Sequence, residues 1–339
     1  MNLPLNIPGL TRPAASPRLI NLYGDALPSR QASASAELAR GLSAATASIA
    51  PKYFYNALGS KLFEAITGLQ EYYPTRTEAG IFSAHLADMA QAVADAGIRQ
   101  PCLIDLGAGN CAKSALLIPT LTPRQYVPVD ISVEFLRQAA EQLQTAFPAL
   151  DIVGVGMDFS AHLALPTQVQ ADDRVFFYPG SSIGNFTPAQ ALAFLQRIAR
   201  ADQGQARGLL LGVDLVKDKA ALEAAYDDTL GVTAAFNKNL LLHVNELLQA
   251  DFDVRQWQHV ALFDEAQSRI EMHLQALSEV TVRWPGGQRA FTRGERIHTE
   301  NSYKYTLESM TALLRQAGFR HVEHWCDPKH WFAVFWAAI

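Results

Sequence analysis

Apolar positions along this chain follow one rhythm before residue 100, another to about residue 218, and a third beyond it. The first stretch is helical in spacing. ASAELARGLSAATASI reads as one helix. ALGSKLFEAITGL reads as a second, with Leu58, Leu62, Phe63 and Ile66 three and four residues apart on one face. Pro74 disfavours helix at the residue before it. Thr75 and Glu78 then fit the S/T-x-x-E capping box ahead of an apolar run, which predicts a helix to about Ala96 ended by Gly97. Residues 1–33, rich in Pro, Ser and Asn, carry little periodicity and read as partly loose or draped over another element.

From residue 100 short apolar runs alternate with helical patterns. CLIDLGAGN, YVPVDIS, DIVGVGMDF, RVFFYPGSSIGNF and GLLLGVDLVKD are the runs, and SVEFLRQAAEQLQTAF and PAQALAFLQRIARA are two of the helices between them. Near-continuous apolar strands separated by helices imply a parallel sheet covered on both faces. After Asp218 the alternation stops. LEAAYDD and AAFNKNLLLHVNELLQ look helical, RIEMHLQALSEVTVRW alternates, and Pro285-Gly286-Gly287 is a turn signal, so a hairpin in a different unit is expected. TLESMTALLRQAG is a further helix ended by Gly318. FRHVEHWCDP and HWFAVFWAAI close the chain as two strands. They are antiparallel, because a parallel crossover needs roughly a dozen residues.

Composition narrows the class. The 339 residues suffice for two structural units, and 49% hydrophobic with 18% charged residues suits a globular enzyme. A net charge of -5 with no basic stripe argues against a nucleic-acid partner. Cys102, Cys111 and Cys326 form neither a disulfide framework nor a CxxC zinc pair. MNLPLNIPGL does not read as a signal peptide, and the apolar run Trp331 to Ile339 is far short of the ~20 residues that span a bilayer. A cytoplasmic protein, working as a monomer without membrane, is expected.

The sharpest local motif is Asp105-Leu106-Gly107-Ala108-Gly109-Asn110-Cys111-Ala112-Lys113-Ser114, a strand, a glycine turn and a helix. This GxGxxA pattern suits either a dinucleotide or S-adenosylmethionine. Asp130 ends the next run, where a carboxylate accepts from ribose hydroxyls; Asp158-Phe159 end the third, placed for an adenine. The closing antiparallel pair favours S-adenosylmethionine, since a nicotinamide-binding sheet is usually all parallel. A dehydrogenase stays open, as does a catalytically dead scaffold on the same fold.

PKYFYNALGSKLFEAITGLQEYYPTRTE, DLGAGN, YPGSSIGNFTP, LGVDLVKD, AYDDTLGVTAAFNKNLL, NELLQADFD, RIEMHL and TENSYKY, in this order over roughly residues 50–305, resemble the ergothioneine-pathway L-histidine Nα-methyltransferase family. The resemblance implies a class I methyltransferase sheet with a terminal antiparallel strand, plus a second α+β substrate-binding domain. On that reading residues 1–76 and 216–304 form the substrate-binding domain, and 77–215 with 305–339 the S-adenosylmethionine domain. The implied reaction is transfer of three methyl groups to the α-amine of L-histidine, giving hercynine.

Residue by residue, the resemblance puts Tyr72 on the substrate, Asn185 and Tyr226 on its carboxylate, and Glu300 and Ser302 on its imidazole. Tyr55 is the candidate catalytic residue, near the amine. Gly107, Gly109, Lys113, Asp130, Asp158 and Phe159 would bind the cofactor. Ala112 at the third glycine position, Cys111 in the loop, and Asn301 and Tyr303 beside the matched Glu and Ser depart from the pattern, so another amino acid or small amine remains an alternative substrate. Glu300 has an alternative fate as partner of Lys304 across a surface turn. No metal is expected: His243, His259, His273 and His298 fit no ligand spacing and read as packing or surface residues, and the DLVKD and AYDD acids read as helix-end and loop groups.

Overall fold

The computed structural model describes residues 16–22, 27–160, 162–200 and 206–339. Its centre is an eight-stranded sheet in the order β1-β4-β3-β2-β5-β6-β13-β12. The strands are β1 (Arg18–Asn21), β2 (Cys102–Leu106), β3 (Gln125–Asp130), β4 (Asp151–Gly156), β5 (Arg174–Tyr178), β6 (Ala206–Asp214), β12 (His321–Cys326) and β13 (Phe332–Ala338). β1 to β6 run parallel, and β13 inserts antiparallel between β6 and β12.

Successive strand residues point to opposite faces, and the core divides accordingly. Ile104, Val127, Val153 and Phe176 pack on one side, with Phe194 of α6 (Pro188–Ala199) and Leu314 of α9 (Leu307–Ala317). Leu103, Tyr126, Ile152 and Phe177 pack on the other, with Phe82 of α3 (Tyr73–Asp95), Leu117 of α4 (Ala112–Leu121) and Leu143 of α5 (Val133–Ala146). Every residue of β13 is buried, as its unbroken apolar run requires.

A third core lies outside this sheet. It gathers α1 (Leu27–Ser43), α2 (Ala57–Thr67), α7 (Lys219–Ala224) and α8 (Val232–Leu248) against an antiparallel sheet of β7 (Trp257–Asp264), β8 (Arg269–Ala276) and β11 (Arg296–Tyr303). The expected hairpin is β9 (Val280–Trp284) with β10 (Gly287–Phe291), turning at Pro285-Gly286.

Three expectations need correction. Part of the segment read as loose is regular: Arg18–Asn21 pairs in parallel with Val153–Gly156, and α1 already begins at Leu27, while residues 1–15 and 23–26 lie outside those described. Thr75 and Glu78 form no capping box. α3 starts at Tyr73 with Pro74 in its first turn, and Glu78 is buried with partners far away in the chain. The reason is tertiary: a proline in the first turn leaves fewer N–H groups to cap, and the carboxylate serves the loop after β5 instead. Lys304 does not meet Glu300 at a surface; both are buried, and Lys304 pairs with Asp214.

Candidate active site

At the carboxyl ends of β2, β3 and β4 the expected cofactor residues converge. Gly107 and Gly109 have φ of +73° and +54°, conformations that glycine adopts without strain. The N–H groups of Gly107 and Ala108 both reach the Val129 carbonyl, at 2.8 and 3.1 Å, which folds the turn back over β3. Asp130 is held by backbone: one carboxylate oxygen accepts from Gly109 N–H at 3.0 Å and the other from Ser132 N–H at 2.9 Å. Burial lifts its carboxyl above the usual range, and these donors oppose the shift. Asp158 accepts from Ser160 N–H at 3.1 Å and faces Lys52 at 3.4 Å. The Phe159 ring lies 3.7 Å from where a side chain at Gly107 would begin, so any larger residue would narrow this cradle.

Lys113 is turned the other way. Its ammonium lies 2.5 Å from Glu78, whose second oxygen accepts from Gly180 N–H at 2.8 Å. Gly180 lines a separate cavity of about 500 Å³, counting its open mouth. Glu78 therefore ties the cofactor turn to that cavity's wall.

Tyr55, Tyr72, Asn185, Tyr226, Glu300 and Ser302, drawn from four distant stretches of chain, all line this cavity. Tyr55 follows the 3-10 turn Pro51–Phe54, and Tyr72 immediately precedes α3. Asn185 ends a 3-10 turn, Ser182–Asn185, after β5. That turn sits tight on β11, since a Cβ at Gly184 would lie 2.8 Å from the Tyr303 carbonyl oxygen. Glu300 and Ser302 are two apart on β11, hence on one face. A register shift between His298 and Glu300 in the pairing with β8 aims that face inward.

Aromatic rings form much of the wall: Tyr55–Phe63, Phe63–Tyr72 and Tyr72–Tyr226 pack edge to face with centroids 5.8, 6.2 and 6.3 Å apart. Burial pushes the phenols of Tyr55, Tyr72 and Tyr226 well above their usual range. Tyr55 also feels the charges of both Glu300 and Asp130, which sets it between the two sites. Glu300 is 8% exposed. Burial lifts its carboxyl to about 7 against the opposing charge of Lys304.

Behind the polar edge of the cavity lies a buried ionic network. Asp214, at the end of β6, accepts from Tyr73 at 2.8 Å, from Lys217 at 2.5 Å and from Lys304 at 2.8 Å. Burial alone would raise its carboxyl, but the two ammonium groups outweigh that and hold it below the usual range. Lys304 also donates to Ser302 Oγ at 2.8 Å and Tyr226 Oη at 3.1 Å, and the Tyr226 hydroxyl donates to Ser302 Oγ at 2.7 Å. Tyr226, expected at a carboxylate, thus has its hydroxyl beside Ser302.

Of the DLVKD and AYDD acids, Asp218 and Asp228 do cap α7 and α8, through Ala221 N–H at 3.2 Å and Thr233 N–H at 2.7 Å. Asp214 departs from the helix-end reading and sits at the centre of the ion network. The four histidines stand outside the cavity lining. His259 steadies Tyr226 by donating to its carbonyl at 2.8 Å. Among the described residues no group of three or more His, Cys, Asp or Glu is placed to hold a metal ion, and no helix is long and apolar enough to cross a membrane. Sequence reasoning missed Phe63 and Phe236 as cavity walls, because their apolar spacing marked only a helix face. It missed Glu78 and Asp214 because Gly180 and Tyr73, which bond to them, lie more than a hundred residues away in the chain.

A glycine turn, acids at successive strand ends and a sheet closed by an inserted antiparallel strand define a class I S-adenosylmethionine-dependent methyltransferase. Residues 34–339 match the family described as "Histidine-specific methyltransferase, SAM-dependent", and the chain belongs to it. It is 41% identical over 300 residues to the histidine N-alpha-methyltransferase of Mycolicibacterium smegmatis, covering 87% of this chain and 91% of that one. It is 39% identical over 305 residues to the Mycobacterium tuberculosis enzyme of the same name, covering 88% and 92%. Ergothioneine biosynthesis protein 1 of Neurospora crassa is 30% identical over 280 residues, covering 80% of this chain and 31% of that protein.

Proposed function

We propose that this enzyme transfers three methyl groups in succession from S-adenosylmethionine to the α-amino nitrogen of L-histidine, giving hercynine. One observation carries the substrate: a buried carboxyl, Glu300, with the hydroxyl of Ser302 in a cavity walled on one side by aromatic rings. A side chain without an N–H for Glu300 would leave that carboxylate unpaired, at a cost of about 1–3 kcal/mol or more.

The cradle at Gly107 and Gly109, the backbone-held Asp130, and Asp158 with Phe159 suit the adenosine part of the cofactor, while Lys113, paired with Glu78, braces the turn from the cavity side. When bound, S-adenosylmethionine supplies an electrophilic methyl carbon on a sulfonium. The residues of this chain have the task of holding a neutral amine on line with it, so positioning dominates. Asn185 takes the substrate carboxylate, Tyr72 closes the aromatic wall, and Tyr226 supports the ring end. Tyr55 orients the amine by accepting from its N–H. Its raised phenol stays protonated at neutral pH and makes a poor base, which leaves water as the proton acceptor.

On the same footing, residues 27–76 and 216–304 are the substrate-binding domain and 77–215 with 305–339 the cofactor domain, whereas β1 (Arg18–Asn21), expected with the former, pairs with β4 in the cofactor sheet. The third core, drawn from Leu38 to Tyr73 and Leu222 to Ile297, supports that division. Three free cysteines suit a cytoplasmic setting, and a cavity lined within one chain suits a monomer.

The test is mass spectrometry of purified protein incubated with S-adenosylmethionine and each common L-amino acid. Stepwise gain of one, two and three methyls on histidine alone is expected. Modification of another amino acid in its place would overturn the substrate and keep the class.

A further inference from the structure

The Lys304 ammonium is wholly enclosed, its side chain 0% exposed. It has three protons to donate, and three acceptors surround it: Asp214 Oδ2 and Ser302 Oγ, each at 2.8 Å, and Tyr226 Oη at 3.1 Å. Each hydroxyl therefore already accepts from a cation. The two hydroxyls share one further hydrogen bond at 2.7 Å. A phenol is the stronger O–H acid of the two, so Tyr226 donates and Ser302 accepts. A hydroxyl oxygen has two acceptor positions and one proton. Ser302 Oγ has both acceptor positions filled, and only its proton is left for the cavity. Glu300 offers the reverse: no side-chain donor among the described residues reaches it, so its carboxylate is left to accept.

We propose that Lys304 is a positioning residue that fixes Ser302 as a donor, so that the cavity reads a neutral imidazole in a single tautomer, its N–H on Glu300 and its bare nitrogen on Ser302. This rests on histidine being the substrate. An imidazolium would present a second N–H to Ser302, which has no acceptor position left for it. Asp214 holds Lys304 in place and is itself held by Lys217 and Tyr73. Lys304 does not line the cavity and acts only through Ser302 and Tyr226.

The primary test is nitrogen NMR of ring-15N L-histidine bound to the intact enzyme with S-adenosylhomocysteine, which has no methyl to give. Spectra are taken at about pH 6, where the free ring is mostly charged while Glu300, raised to about 7, holds its proton, and at pH 8, where Glu300 is a carboxylate that would favour a second ring proton. The bound ring should show one protonated and one bare nitrogen. Two protonated nitrogens on the bound ring would overturn the proposal. Failure of the wild-type enzyme to bind or methylate histidine would instead remove the substrate reading on which it stands. Kinetics add a second measurement. Lys304→Met should raise KM for histidine roughly 10- to 30-fold, with kcat and cofactor affinity within about twofold. In a Ser302→Ala background the same change should cost under about threefold, because the two residues act through one hydrogen bond. Full additivity of the two substitutions, or an unchanged KM in Lys304→Met, would contradict the assignment. If Lys304→Met fails to fold, the bound-ring spectrum of the wild-type enzyme decides alone.

Discussion

Asp130, half-buried, and Glu300, buried, are both carboxyls raised by desolvation, yet their surroundings are opposite. Asp130 has a backbone N–H on each oxygen before any ligand arrives. Glu300 has no donor among the described residues and feels only the charge of Lys304, which sits among other partners. The contrast divides labour. The cofactor end is completed by its own backbone, so the acid is placed whether or not adenosine is bound. On the proposed reading the substrate end withholds a partner from its acid, so that the ligand supplies the missing hydrogen bond and ligands unable to supply it are rejected.

The largest effect should come from Glu300→Ala. The kcat/KM for histidine should fall roughly 10³-fold, measured with saturating cofactor, while calorimetric cofactor affinity stays within about threefold. An equal loss in cofactor binding would show that the two ends are not separable in this way. Asp130→Ala tests the other side. Removing an acid proposed to meet ribose hydroxyls should weaken cofactor binding about 10- to 100-fold, the range for hydrogen bonds to a charged group. KM for histidine at saturating cofactor should not move. A histidine-specific defect would reverse the roles given to the two carboxylates.

The same contrast explains what the sequence could reveal. The cofactor end is local: turn, strand ends and acids fall between Asp105 and Phe159, and their order along the chain is their order in the sheet's logic. The cavity is not local. Its motif residues were legible only through resemblance, and the groups supporting them were not legible at all. Thr75 and Glu78 satisfied a helix-start pattern that the fold overrides, because Glu78 meets Gly180 and Lys113 across space. Asp214 looked like any acid after a strand until Lys217, Lys304 and Tyr73 closed on it. β7 and β11 escaped notice because their residues mix histidine, glutamine, asparagine and charged groups with apolar ones, as strands bordering a polar cavity do. β1 is only four residues long and lies in a segment without periodicity.

The smallest effect is also the most direct probe of the withheld partner. The folded enzyme binds a proton at Glu300 more tightly than the unfolded chain does, since the carboxyl rises from 4.5 to about 7 on folding. The stability this gives is fully present below about pH 4.5 and lost as pH rises through about 7. At pH 8 the folded apoenzyme therefore carries a charge penalty with a ceiling of about 3 kcal/mol. Glu300→Gln removes that charge, while its amide brings a burial cost of its own that is the same at every pH. The informative quantity is thus a difference of differences. The melting temperature of Glu300→Gln relative to wild type should be more favourable at pH 8 than at pH 5, by on the order of 5 °C. Loss of histidine methylation should accompany the gain in stability. A shift equal at both pH values would mean that Glu300 is as well satisfied as Asp130, and the distinction between an acid completed by backbone and one completed by substrate would collapse.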